Sequence, residues 1–192
     1  MMKEKELKNI LDNHKLWIKS EGEQGRRADL SEAVIFGENL SGQDLRFADL
    51  SCANLEEADL KNINLMGADL SDSDLCGADL SGANLSGANL GGTDFSGAKL
   101  TGASLEGANL SGATLSGADL KGASLDFAAF PLWCGGINVH IDDTQAVQLL
   151  YHLLKNVSCS KNVSGELKAL LLQKSIIAKA NEFYMTAECG RI

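Results

Sequence analysis

The chain has 192 residues and a formal net charge of −9, with 20 glycines, one proline and 5% aromatic residues. No run of about 18 uncharged apolar residues occurs, so no spanning helix is predicted, and the first residues, MMKEKELKNI, lack the apolar core of a secretory signal. The five cysteines are scattered without a CxxC pair, which favours free thiols. We therefore expect a cytoplasmic protein that binds neither membrane nor nucleic acid directly.

Residues 1–27 predict an N-terminal helical cap and linker. Between residues 3 and 19, side chains that could form one buried helix face recur at helical spacing. These are Leu7, Ile10, Leu11, His14, Trp17 and Ile18. The linker 20–25 then brings Arg26 and Arg27 to the start of the next segment, whose open end the helix is expected to cover.

Residues 28–132 repeat with a period of five. From Leu30 to Phe130, 21 consecutive positions five apart hold Leu, Ile or Phe, usually with Ala two residues earlier and Asp or Asn one earlier. Steps of five would spread these side chains around an α-helix and alternate them across a strand. The chain must therefore turn once per five residues, with the Ala and Leu positions inward and the residue between them outward. Gly at the corner supplies the positive φ of a type II turn.

Several repeat units depart from this pattern. At four of the corners that lack Gly we expect a different turn type that does not require a positive φ: Cys52, Glu57, Asn62 and Asp72. Glu38 and Gln43 occupy inward positions, and we expect their polar tips to reach solvent or a nearby arginine. For the regular positions, we expect Leu80→Ala to cost about 2–5 kcal/mol and Asp79→Ala almost nothing, since Asp79 points outward.

This repeat resembles the pentapeptide-repeat family, whose consensus is close to Ala-(Asp/Asn)-Leu-(Ser/Thr)-Gly. The resemblance covers roughly residues 28–132 and implies an all-β solenoid, a right-handed quadrilateral β-helix with four pentapeptides per coil. To this we add helical N- and C-terminal caps. Four units per coil place residues 20 apart on one face, in ladders with a step of about 4.8 Å.

Residues 133–192 predict a C-terminal cap. Pro131 ends the five-residue pattern, and Trp133 is expected to lie over the last coil. A short strand at 137–141 and two helices, at about 143–156 and 164–184, follow. Because this segment is larger than one coil end requires, we expect it also to join two chains as a homodimer.

The repeat is strongly acidic. Residues 28–132 hold 16 acidic and 4 basic side chains, and 12 of the acids lie before residue 81. The period of 20 stacks Asp29, Asp49 and Asp69 in one ladder and Asp59 and Asp79 in another, which together are the candidate acidic interaction face. Two interpretations stay open. The acids either keep the rod soluble, since repulsion between neighbours in water costs under about 1 kcal/mol, or they bind a basic partner protein.

These features predict a non-enzymatic protein-interaction module that presents an acidic β-helical surface. The alternative is a DNA-mimicking modulator of DNA gyrase or another topoisomerase. The quinolone-protecting pentapeptide proteins, which the repeat resembles in sequence and sign of charge, imply this alternative. The chain differs from them in its uninterrupted register and its long C-terminal segment.

Catalytic and metal-binding signals are weak. The three histidines, His14, His140 and His152, all lie outside the repeat, and the spacing of Cys134, His140 and His152 matches no zinc pattern. We predict no cofactor and no metal. An enzyme acting through His140 and His152 stays a third, weaker hypothesis.

Overall fold

A computed structural model describes residues 2–129, which comprise one helix and a stack of coils. The helix α1 spans Glu4–Lys19, with Glu4 and Glu6 in its first turn and Lys19 in its last, an arrangement that suits the helix dipole. After α1 the chain doubles back at Gly25 (φ +72°), where an added Cβ would collide with the Asn13 carbonyl oxygen. Glycine is therefore required at this close approach.

The N-terminal segment contacts the first coil through its backbone and through one buried imidazole. The Met2 N–H donates to the Val34 carbonyl (3.0 Å), and the Ala28 N–H donates to Nδ1 of His14 (3.0 Å). Leu7 and His14 are buried, whereas the other four side chains of the predicted helix face are half-buried. The predicted helix is present, and it begins at Glu4, one residue later than predicted.

The coils pair through parallel bridges between residues 20 apart, from Asp29 with Asp49 to Asn109 with Ala129. Each bridge is a single residue long, and no longer strand occurs in residues 2–129. The Leu30 N–H donates upward to the Asp49 carbonyl (2.7 Å), while the Asp49 N–H donates downward to the Ala28 carbonyl (3.0 Å). The chain thus turns every five residues and makes four faces per coil.

We number the faces by their outward residues. Face 1 carries residues 29, 49, 69, 89, 109 and 129, and face 2 carries residues 34, 54, 74, 94 and 114. Face 3 carries residues 39, 59, 79, 99 and 119, and face 4 carries residues 44, 64, 84, 104 and 124. Because the four faces follow one another around a closed coil, faces 1 and 3 lie on opposite sides.

The core is the column of inward Leu and Ala side chains. From Leu30 to Leu125 the positions five apart are at most 5% exposed, including Phe95 at 0%. Two inward hydroxyl groups find acceptors, since Ser73 and Thr93 both donate to the Leu70 carbonyl, at 2.6 and 2.7 Å. Of the inward polar exceptions, Glu38 is half-buried and Gln43 is exposed, as expected for tips that reach solvent.

The corners differ from the prediction at the positions without glycine. Every corner from residue 32 to residue 127 has a positive φ, whether or not it is glycine. Cys52, Glu57, Asn62 and Asp72 have φ values of 54–57°, so the expected change of turn type there is wrong. The reason is the stack. The Glu57 N–H is bound to the Cys76 carbonyl (2.9 Å), and the turn is closed by the bond from the Ala58 N–H to the Leu55 carbonyl (3.0 Å), so the register fixes the turn.

The C-terminal predictions fall outside the described residues. These are the contact of Trp133 with the last coil, the strand at 137–141, the two helices and the dimer segment, together with the boundary at 132. Within residues 2–129, α1 is neither long nor apolar enough to cross a membrane.

Candidate interaction faces

The outward residue of each repeat has a structural role in addition to its charge. In most units with Asp or Asn at this position, the side-chain Oδ1 accepts the backbone N–H two residues later, as in an Asx turn. For Asp69 the donor is the Ser71 N–H (3.0 Å), and for Asn84 it is the Ser86 N–H (3.1 Å). Since Asp and Asn both make this bond, the corner requires an oxygen acceptor but no charge.

Face 1 carries the predicted ladder of Asp29, Asp49 and Asp69, which are bridged in that order. Each accepts the hydroxyl of the serine two residues later, at 2.6–2.7 Å. Above them the ladder continues with Asn89, whose Nδ2 donates to Asp69 Oδ1 (3.0 Å). The nearest cation is Arg27, 54% exposed, whose guanidinium lies 4.0 Å from Asp49. This exposed contact contributes little, so the ladder keeps its negative charge.

Hydrogen bonds favour the charged form of two members of this ladder. The Ser31 hydroxyl, followed by the Ser31 N–H, lowers the pKa of Asp29 below its ordinary value. The Ser71 hydroxyl lowers the pKa of Asp69 in the same way, against the opposing effect of burial, and Asn89 adds to the lowering. Both carboxyl groups are therefore ionised at neutral pH.

Face 3 carries the second predicted ladder, but lysines balance it. Lys61 lies 3.2 Å from Asp59 and 3.4 Å from Asp79, and Lys99, the next residue up the ladder, lies 3.7 Å from Asp79. Burial acts to raise the pKa of Asp79, but Ser81 and Lys61 outweigh it and the net shift is downward. The two carboxylates thus face two cations.

The five predicted aspartates therefore do not form one contact surface. Asp29, Asp49 and Asp69 stack on face 1, whereas Asp59 and Asp79 stack on the opposite face. A flat partner surface cannot contact both ladders at once. Of the two, only the face 1 ladder is left largely without cations.

A further acidic group lies on face 2 and at its corners, and the sequence-based search missed it. Burial raises the pKa of the Cys76 thiol, and the negative charges of Asp94, Asp74, Glu56 and Glu57 raise it further. None of the four forms an ion pair within residues 2–129. Glu32 and Asp72 occupy the corner between faces 1 and 2. The period of 20 could have revealed the group if corner residues had been stacked as well as outward ones.

In the described part of the chain, no three His, Cys, Asp or Glu side chains converge as a metal site would require. The earlier candidates Cys134, His140 and His152 lie outside that part. The clefts near α1, such as the one lined by Trp17, Ile18, Arg46 and Phe47, lie where the helix meets the first coil.

Comparisons with known proteins agree with this architecture. The family model "Pentapeptide repeats" matches residues 26–62, 63–102 and 98–130, with eight copies. Among solved structures, the chain is similar to a pentapeptide repeat protein (Rfr23) from the cyanobacterium Cyanothece 51142, with 25% identity and a TM-score of 0.53. That match covers 69% of this chain and 96% of the other. It supports a right-handed β-helical solenoid.

Two other similarities are weaker in superposition. A pentapeptide repeat protein from the Arabidopsis thaliana thylakoid lumen is 38% identical, with a TM-score of 0.31, over 60% of this chain and 73% of that one. A trypsin-treated variant of QnrB1, a plasmid-mediated fluoroquinolone resistance protein, is 21% identical, with a TM-score of 0.19, over 67% of this chain and 88% of that one. A likeness of this degree assigns no function. No match was found among curated proteins.

Proposed function

We propose that this chain, which belongs to the pentapeptide-repeat family, is a non-enzymatic module that binds a basic partner protein through one acidic side of its solenoid. That side, the acidic surface, consists of the outward carboxylates of faces 1 and 2 and of the corners that flank face 2. Its members are Asp29, Glu32, Asp49, Glu56, Glu57, Asp69, Asp72, Asp74 and Asp94. We propose a cytoplasmic location, in keeping with the free thiols of Cys52 and Cys76.

The observation that carries this proposal is the uneven placement of cations. Lysines accompany the carboxylates of face 3, and Arg46 binds Asp44 on face 4 with two bonds of 2.8 Å. On the acidic surface, by contrast, the described residues place only the exposed Arg27 within 4.0 Å of a carboxylate. Adjacent faces of like charge attract a partner of opposite charge and raise its association rate.

The backbone also prepares this surface for binding. The outward Asp side chains of face 1 are held by bonds to their serine neighbours, for example the 2.6 Å bond from the Ser71 hydroxyl to Asp69. The stacked coils hold the backbone beneath them. A partner that contacts face 1 therefore has less side-chain entropy to remove than on a surface of free lysines and glutamates.

The first experiment compares two variants with equal change in charge. One combines Glu57→Gln, Asp74→Asn and Asp94→Asn on the acidic surface, and the other combines three Asp→Asn changes on face 3, at positions 59, 79 and 119. Protein captured from the native cytosol by the full chain is identified, purified and titrated against each variant at several salt concentrations. We expect the first variant to lose at least tenfold in affinity and the second less than threefold.

The salt dependence provides a second criterion. Exposed charges are screened beyond about 8 Å at physiological ionic strength, so binding of wild type should weaken steeply with added salt. Equal losses in both variants, or affinity that does not respond to salt, would contradict binding through the acidic surface.

The alternative is a DNA-mimicking modulator of DNA gyrase, and the specific observation in its favour is the continuous aspartate ladder of face 1. That ladder is three residues long before it becomes Asn89 and Asn109, a height of roughly 10 Å at the ordinary strand spacing. Duplex DNA would present about six phosphates over this length. The short ladder favours a basic protein partner over a DNA mimic.

A supercoiling reaction distinguishes the two functions. The full chain is titrated into DNA supercoiling by gyrase, with and without a quinolone, beside the variant in which Asp29, Asp49 and Asp69 are all Asn. Inhibition or protection that disappears in the variant would support DNA mimicry. If the wild-type chain has no effect on gyrase but still binds a captured protein in a salt-sensitive way, the result would support the protein-interaction module.

A further inference from the structure

His14 is the one fully buried titratable side chain in the described part of α1, and its surroundings suit only the neutral imidazole. The side chain is 0% exposed, and Nδ1 accepts the Ala28 N–H at 3.0 Å. Nδ1 must therefore be unprotonated, and the proton of the neutral ring is on Nε2. No hydrogen-bond partner for Nε2 is present within residues 2–129. The ring stacks on Trp17 with centroids 5.6 Å apart.

A second proton would place a donor on Nδ1, facing the Ala28 N–H. The bond that joins α1 to the first coil would then become a contact between two donors. The positive charge would also be buried, and Nε2 makes no hydrogen bond within residues 2–129 that would offset this cost. The Trp17 ring offers the imidazolium a favourable contact, but it does not replace the lost bond from the Ala28 N–H.

The charged groups that face His14 partly cancel. Burial has the largest effect and lowers the pKa of His14 from its ordinary value of 6.5. The carboxylate of Asp44 and the Arg46 backbone act in the opposite direction, while the guanidinium groups of Arg27 and Arg46 add to the lowering. Arg46 binds both oxygens of Asp44 at 2.8 Å, so this carboxylate is already engaged.

We propose that α1 is an acid-sensitive cap, released from the first coil when His14 is protonated. Release breaks the bonds from the Met2 N–H to the Val34 carbonyl and from the Ala28 N–H to His14, which join this segment to the first coil at its adjacent faces 2 and 1, and so uncovers the lower edge of that coil. The cap would respond within the range of about pH 5 to pH 8, where histidine is the only unperturbed side chain that changes charge.

The sign and the limit of the effect follow from proton linkage. Above pH 6.5 the imidazole is neutral in both the closed and the open forms, and the cap is fully stable. As the pH falls below 6.5, the open form binds a proton that the closed form does not, until the lowered pKa of the closed form is reached. The opening equilibrium therefore rises by at most tenfold per pH unit, or about 30-fold at pH 5.0.

The test is amide hydrogen exchange of the full chain at pH 7.5 and pH 5.0, with protection factors compared between residues 4–28 and residues 50–110. We expect protection of residues 4–28 to fall at least threefold at pH 5.0 while that of the later coils does not change. The matched control is His14→Asn, whose Oδ1 can accept the Ala28 N–H but cannot be protonated. Its protection should be the same at both pH values.

A second control removes the other two histidines. The double variant His140→Gln/His152→Gln should keep the full pH response of wild type. A response lost in this variant, a flat wild-type profile, or an equal fall in His14→Asn would each overturn the proposal.

If α1 of the His14→Asn variant is unprotected even at pH 7.5, this variant cannot serve as the control. The titration of His14 in the wild-type chain then tests the proposal. Its imidazole resonances are followed by NMR in the wild-type chain. Titration below pH 6.5, coincident with loss of protection in residues 4–28, supports the proposal, and titration at or above 6.5 in the closed form contradicts it.

Discussion

The substitution Gly87→Ala should destabilise the solenoid only through the backbone conformation that this corner requires. Gly87 is a corner with φ +66°, and an added Cβ would meet no atom within 4 Å, so steric contact is not a factor. An L-residue in this left-handed region costs about 1–2 kcal/mol. Alanine also lowers the conformational entropy of the unfolded chain, which offsets about 0.4–1 kcal/mol of this cost. The expected net loss in the free energy of unfolding is about 0.5–1.5 kcal/mol.

The control is Gly91→Ala, at the first corner position of the following unit. Its φ is not positive, and the added Cβ would approach Asn89 Oδ1 at 3.3 Å. Serine occupies the equivalent position at residues 71 and 111, so the site accepts a side chain. We expect Gly91→Ala to change the free energy of unfolding by no more than about 0.5 kcal/mol.

The converse change is Glu57→Gly, at a corner that holds φ +57° with a side chain. Glycine removes the backbone strain but increases the entropy of the unfolded chain by about 0.5–1 kcal/mol, so a gain of up to about 1 kcal/mol is expected. Urea unfolding followed by circular dichroism measures all three variants at constant m value. Equal midpoints for Gly87→Ala and Gly91→Ala, or a loss in Glu57→Gly, would refute the view that the stack imposes one turn on every corner.

Three further predictions concern the core, the outward positions and acid. Leu80→Ala should cost about 2–5 kcal/mol in urea unfolding, because Leu80 is 0% exposed in the middle of the stack, and a smaller loss would contradict its inward assignment. Asp79→Ala should cost about 1–2 kcal/mol and Asp79→Asn about 0.5 kcal/mol or less, because only Asn keeps an oxygen that accepts the Ser81 N–H (3.2 Å). Equal losses in the two variants would refute a role of this hydrogen bond in stability. The pKa values of Asp29, Asp69 and Asp79 are lowered in the fold, so their ionised forms contribute stability above about pH 4. The thermal midpoint should therefore fall as the pH decreases below 4. A midpoint that stays constant down to pH 2 would contradict the hydrogen bonds that these carboxylates accept.

The sequence predicts the inward positions from its period and the ladders from its family resemblance. A side chain such as Leu80 can be buried at every fifth position only if the chain turns at each unit, whereas the bridge from Asp59 to Asp79 follows from the four units per coil that the resemblance implies. For Asp79→Ala, the outward position alone predicts almost no cost, whereas the structure predicts about 1–2 kcal/mol. The two expectations differ because the Asp79 side chain is only 19% exposed and accepts bonds from the N–H and the hydroxyl of Ser81.

The corners and the charge balance could not be predicted in the same way. Local preference disfavours a positive φ at Cys52 or Glu57, but bonds to neighbouring coils override it, and these are not visible in a single repeat unit. Likewise, the sequence places Lys61 beside Asp59 but does not show that its long side chain also reaches Asp79, one coil above. Such contacts depend on side-chain direction at a corner.

The corner bonds explain why most outward positions hold Asp or Asn, but they do not explain which of the two is present. Asn64 and Asn84 on face 4 accept the N–H two residues later, at 3.3 and 3.1 Å, as Asp74 and Asp94 do on face 2, at 2.9 and 2.8 Å. Exchanging amide and carboxylate between the two faces therefore keeps both the corner bonds and the net charge. If the acids serve only solubility, this fourfold exchange should leave solubility and partner binding unchanged.

The proposed acidic surface predicts a different result for the same exchange variant. Its urea midpoint and its solubility should match wild type, while its affinity for the captured basic partner should fall about tenfold, because two carboxylates have moved off the acidic surface. Isothermal titration at 150 mM salt measures that affinity. Unchanged binding in a folded variant would show that net charge alone matters, and the placement of acids on faces 1 and 2 would then have no role in recognition.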